Sequence, residues 1–229
     1  MSLHIPRPVL GPLRPAALAP ALLVLTLAPA FAAPTAPAMP AAPSPGDTMT
    51  LLFADRSFGD AGAGGLTWRL ERHGPAAEGF RPITGGRLTL GPATDPADGK
   101  PLLELREASE GLDRVVARYP ATGVDPVLIY FLENATRGMA AIAGGNPDYI
   151  HNRIKEALRR GGAVIDRGDG GRTVILTPFA GDPNAPRMAG FDRLTLVLGL
   201  GPDPGAPIRS LEAEAPGTGY ALRLVEDRP

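Results

Sequence analysis

A helix that is oily on more than one side cannot stand in water, so the rest of its chain must enclose it. Residues 125–161, DPVLIYFLENATRGMAAIAGGNPDYIHNRIKEALRRG, contain such a helix and a second one behind it. Asp125 is placed as N-cap and Pro126 as first helical residue, where a missing N–H costs nothing. Leu128, Phe131, Leu132, Ala135, Met139 and Ile142 then recur at spacings of three and four, an apolar stripe ended by Gly144. Glu133 and Arg137 stand four apart in the favourable acid-first order. Asn146, Pro147 and Asp148 repeat the same start signals, and Ile150, Ile154, Ala157 and Leu158 form a narrower stripe closed by Gly161. Burial of the five large stripe residues of the first helix would contribute about 7–15 kcal/mol, comparable with the net stability of a whole domain. The run is too short for a membrane span and has Glu133, Asn134 and Arg137 in its middle.

Strand and turn patterns lie on both sides of this pair. Residues 66–72 alternate, with Leu66, Trp68 and Leu70 on one face and Thr67, Arg69 and Glu71 on the other. Residues 49–54, 80–83, 87–90, 102–107 and 113–119 are the other strands expected before the helices, with a turn over 91–101. Residues 163–165 and 172–176 flank RGDGG as a hairpin, and 194–198, 208–213 and 220–225 follow. Hairpin-length connections and period-two alternation favour antiparallel pairing. The expected class is α+β, a curved, mostly antiparallel sheet of about 8–11 strands packed around a central two-helix insertion at residues 126–160. A two-sheet sandwich capped by the helices is the alternative.

The start of the chain reads differently. Residues 1–32 combine His4, Arg7 and Arg14 with an apolar stretch from Ala16 to Ala28 and the small-x-small site Ala30-Phe31-Ala32. This is the pattern of a secretory signal cleaved near Ala32, which implies a bacterial periplasmic or secreted protein with no permanent membrane span after signal removal. Residues 33–48 are Ala/Pro-rich and expected to be a disordered leader. Residues 49–229 suit a single α+β globular domain. Taking Arg7 and Arg14 from the 23 basic residues leaves 21 against 24 acidic ones, so no nucleic-acid partner is expected. The chain has no cysteine, which removes disulfide and thiolate chemistry.

Outside the first 32 residues the histidines are His73 and His151, without ligand spacing, so neither a metal nor another cofactor is expected. Asp95-Pro96-Ala97-Asp98-Gly99 lacks the further ligands of a calcium loop. No nucleophile elbow, P-loop or dinucleotide fingerprint is present, and no catalytic residue is assigned. Glu133, Arg137, Tyr149, His151 and Arg153 form a polar cluster on and near the helices, available for acid–base work if the pair folds back on itself. Structural roles for these side chains weigh more.

A curved antiparallel sheet around an apolar helix in an exported, cysteine-free chain resembles, at the level of fold, the periplasmic lipoprotein-carrier and lipid-binding half-barrels. That resemblance implies a non-enzymatic protein binding a lipid or other apolar small molecule between sheet and helix, with Trp68, Leu88, Leu90, Leu103, Leu105, Phe131 and Met139 around it. Two alternatives stand beside it. One is a cell-envelope interaction or assembly protein that docks an envelope partner on the arginine face of the second helix (Arg153, Arg159, Arg160). The other is a hydrolase-type enzyme working from Glu133 and His151.

Overall fold

In the computed structural model, residues 45–58 and 64–227 are described; the signal-like segment 1–32 and residues 33–44 of the leader lie outside them. The two central helices have the expected bounds. Helix α2 is Pro126–Ala143, capped by the Asp125 carboxylate, which accepts from the Val127 N–H, and stopped by Gly144 at φ 67°. Helix α3 is Pro147–Arg160, capped by Asn146 through the Asp148 N–H. On α2, Leu128, Phe131, Ala135 and Met139 are buried, whereas Leu132 and Ile142 are half-buried. Three large stripe residues are therefore fully withdrawn from water, about 4–9 kcal/mol of burial instead of the full 7–15.

The strands before α2 form a meander: β2 (Leu66–His73), β3 (Ile83–Thr94), β4 (Pro101–Ser109) and β5 (Leu112–Pro120). Those after α3 form another: β7 (Ala163–Asp166), β8 (Arg172–Leu176), β9 (Thr195–Leu200), β10 (Ser210–Ala215) and β11 (Tyr220–Glu226). The two meanders join where β11 pairs antiparallel with β2, Leu224 opposite Leu70. The result is one nine-stranded sheet, ordered β5-β4-β3-β2-β11-β10-β9-β8-β7. It is antiparallel throughout and open, with β5 and β7 as its edges. The helices connect those two edges, so the chain crosses from one side of the sheet to the other through α2 and α3.

Leu103 and Leu105 of β4 and Val174 and Leu176 of β8 share one buried cluster with Phe131, Met139 and Ile154. Strands β4 and β8 stand six spacings apart, about 29 Å on a flat sheet at 4.7–4.9 Å each. Two helices each about 10 Å wide cover that span only if the sheet curves around them. Helix α2 approaches closely: a Cβ at Gly138 would lie 2.8 Å from the Tyr220 ring of β11. A larger residue there would have to displace that buried ring.

Four local expectations change. Residues 49–54 are not a strand; Pro45–Leu52 form helix α1, which packs on α3 and includes residues 45–48 of the expected leader. Buried Thr48 accepts there from the Gly162 N–H at 3.1 Å. Strand β3 continues through the expected turn at Gly91 and Pro92. Its pairing with β2 ends at Leu90, so beyond that point only β4 flanks it, and the missing N–H of Pro92 faces no neighbour. Phe80 stays outside β3, which begins at Ile83. A separate two-stranded ribbon, β1 (Arg56–Ser57) with β6 (Thr122–Gly123), was not expected.

Arg56 is the centre of that ribbon's surroundings. Its guanidinium donates to the carbonyls of Leu51, Pro204 and Ala206 at 2.6–2.8 Å, and its Nε stands 3.7 Å from Asp125 Oδ2. The same Asp125 oxygen accepts from the Ile208 N–H at 2.9 Å. The Ile208 carbonyl accepts from the Trp68 indole at 2.9 Å. Helix α1, loop 204–208, strand β2 and the start of α2 are thus tied at one buried point.

Candidate functional site

The first turn of α3 faces an unusually long connection. Residues 177–194 join the adjacent strands β8 and β9, which about two to five residues would link. Two 3-10 turns, Ala185–Arg187 and Phe191–Arg193, shape it. Phe179, Met188, Phe191 and Leu194 anchor it in the core. Ala189 has φ 50°, the one positive φ at a non-glycine among the described residues, a strained conformation of the kind that gathers at functional sites.

The buried carboxylate of Asp182 holds this loop to α3. The Tyr149 hydroxyl lies 2.8 Å from both of its oxygens, the Asn184 N–H donates to Oδ1 at 2.8 Å, and Arg153 Nε stands 2.7 Å from Oδ2. Asn184 Nδ2 in turn donates to the Tyr149 hydroxyl at 2.9 Å. Burial pushes the Asp182 carboxyl up, but the Asn184 N–H, the Tyr149 hydroxyl and the Arg153 guanidinium together hold it below the usual carboxylate range. It is a charge-assisted clasp between helix and loop.

Beside the clasp lies a cavity of about 420 Å³. Met139, Ala143, Tyr149, Ile150 and Met188 give it apolar walls, Gly144 and Gly145 line the α2–α3 turn, and Asn146, Asn184 and Arg187 supply polar groups. Three further hollows differ in chemistry. One of about 470 Å³ is lined by Arg81, Thr84, Ser109 and Glu110 among others, at surface turns. One of about 410 Å³ has Phe179, Asp182 and Arg193 in its lining, and one of about 270 Å³ is lined by Arg167 and Arg209 among others.

The seven apolar residues expected around a ligand, Trp68, Leu88, Leu90, Leu103, Leu105, Phe131 and Met139, are all buried in one cluster. Of these, Met139 also lines the cavity at the helix turn. Within the polar cluster, Tyr149 and Arg153 meet on Asp182, while the others do not join them. Glu133 pairs with Arg137 at 3.2 Å on the exposed side of α2, and its charge helps to raise the Tyr119 hydroxyl after burial. His151 is exposed, and no hydrogen bond or ion pair links it to Glu133 among the described residues. The proposed arginine docking face is divided as well, because Arg153 turns inward to Asp182 and Arg160 contacts Glu156.

Asp182, Asn184, Arg187 and Met188 escaped the sequence reading because they lie in a proline-studded connection, where polar residues normally face water. Asp98 and Lys100 form an exposed ion pair at 2.6 Å in the turn compared with a calcium loop. Among the described residues no group of three or more His, Asp or Glu is placed to hold a metal ion, and no helix is long and apolar enough to cross a membrane. The chain matches no protein-family model, no curated protein and no solved structure.

Proposed function

We propose that this chain is an exported, non-enzymatic protein that holds a small apolar ligand in the cavity where α2 turns into α3. The observation that carries the reading is that cavity: about 420 Å³, walled by Met139, Ala143, Ile150 and Met188, with a few polar groups on its rim. Ligand sites have this size and this ratio of apolar wall to polar contact. Two methionine side chains in the lining, Met139 and Met188, suit an adaptable fit, because the unbranched thioether changes shape at little cost. The ligand thus sits at the end of α2, beside the Trp68–Phe131 core and sharing Met139 with it. Export rests on the signal-like pattern of residues 1–32.

The test is titration of the full chain with the neutral fluorophore N-phenyl-1-naphthylamine, with Ala143→Trp as comparison. Saturable one-site binding is expected for the wild type. The variant, whose indole fills the cavity, should lose it while keeping the wild-type unfolding midpoint. Equal binding by a folded Ala143→Trp protein, or no saturable binding by either, contradicts the reading.

A further inference from the structure

We infer that the ligand is a single-chain anionic amphiphile, a medium-chain carboxylate, whose head group binds Arg187 and whose tail enters the cavity. This rests on the binding reading above. Arg187 is the one charged side chain in the cavity lining. It is exposed, and among the described residues its guanidinium has no hydrogen bond or ion pair.

The other side chains of the rim are uncharged, and several of their polar atoms are already engaged. Asn146 caps α3 by accepting from the Asp148 N–H at 2.8 Å. Asn184 Nδ2 donates to Tyr149, and the Tyr149 hydroxyl is spent on Asp182. Among the described residues, the charged group left without a partner at the mouth is therefore Arg187, a fork of donors carrying positive charge. Carboxylate is the planar acceptor that such a fork binds through two bonds. A neutral head can meet the amides of Asn146 and Asn184 but gains no charge-assisted bond, and a cationic head is repelled by Arg187.

Volume sets the enclosed part of the tail. A cavity of about 150 Å³ accepts benzene, so 420 Å³ accommodates roughly twelve to sixteen carbon atoms. That is one alkyl chain of moderate length within the walls of a hollow that is partly open to solvent.

The experiment displaces N-phenyl-1-naphthylamine with four ligands sharing a twelve-carbon tail: dodecanoate, dodecyl phosphate, dodecan-1-ol and dodecyltrimethylammonium. All are used at about pH 8, where the carboxylate is ionised, and below their aggregation thresholds. Dodecanoate should bind at least about tenfold more tightly than the alcohol, the scale of a charge-assisted contact. Arg187→Gln should level the two, and Arg187→Glu should invert the order in favour of the ammonium. Because Arg187 is exposed, neither substitution touches the core. If the alcohol matches dodecanoate and Arg187→Glu changes nothing, the head-group assignment is wrong while the cavity reading survives. Tighter binding of dodecyl phosphate overturns the carboxylate. If none of the four nor the fluorophore binds, the cavity reading fails with it.

Discussion

Two aspartate–arginine pairs lie beneath the surface of this protein, one at the start of α2 and one between the middle of α3 and the loop 177–194, and they are built differently. Asp125 and Arg56 are wholly enclosed and 3.7 Å apart, and their hydrogen bonds go to backbone: Val127, Ile208, Leu51, Pro204 and Ala206. Asp182 and Arg153 are closer, at 2.7 Å, yet Arg153 keeps 18 % of its side chain exposed. Besides the Asn184 N–H, Asp182 is held by side chains of a single helix. Backbone partners cannot rotate away, whereas side chains can. The first pair is a fixed joint at the junction of the two meanders, and the second is a clasp beside the cavity.

Protonation behaves accordingly. Around Asp125 burial outweighs the Ile208 and Val127 N–H groups and the Arg56 charge, and its carboxyl is raised. Burial also lowers Arg56, against the pull of Asp125 and Asp203. Asp182 is lowered by its partners in spite of burial. Isolation dominates one site and contact dominates the other.

The largest effect is expected from Arg56→Leu, which leaves the Asp125 carboxylate buried without its counter-charge and frees three carbonyls. Urea unfolding should show a loss of about 3–5 kcal/mol. A loss below about 1 kcal/mol would make the fixed joint no stronger than a surface pair.

Asp182→Asn comes next, at about 1–3 kcal/mol, because Arg153 retains Glu156 and access to water. The sign of its pH dependence follows from the lowered carboxyl. The charged clasp stabilises the fold above the unfolded-state pKa of about 3.9 and is lost as pH falls through the lower folded-state value. Stability of the wild type should therefore fall between about pH 5 and 2 more steeply than that of Asp182→Asn. Parallel curves would show that Asp182 carries no charge-dependent clasp. Asp125, being raised, contributes with the opposite sign: its part is present below the unfolded-state pKa and lost as pH rises through the folded one.

The smallest change belongs to Glu133→Gln, which removes an exposed pair spaced four apart. It should cost no more than about 0.5 kcal/mol. A cost rivalling that of Asp182→Asn would restore Glu133 to the functional residues.

The fixed joint was half visible in the amino-acid pattern and the clasp hardly at all. Asp125 announces itself as a cap before Pro126, and the stripes of α2 and α3 have a period that leaves one interpretation. Arg56 gives no such sign, since two of the three carbonyls it binds, those of Pro204 and Ala206, are distant in sequence. Residues 49–54 misled because a short apolar run has no period of its own, and packing on α3 decides for helix. Asp182 sits among Gly181, Pro183 and Pro186, a composition that turn chemistry alone explains. Its burial depends on Tyr149 and Arg153, which only the folded chain brings near. Long-range contacts made by single polar side chains leave no periodic trace, and the candidate site consists largely of them.

Methyl NMR on the full chain with labelled methionines tests the central claim most directly. The sequence holds five methionines, of which Met139 and Met188 line the cavity. On titration with dodecanoate the account predicts that the Met139 and Met188 methyl signals shift together and saturate with one binding constant, while that of Met49, outside the lining, stays in place. Unmoved Met139 and Met188 signals at saturating dodecanoate, or an equal drift of every methionine, would contradict it.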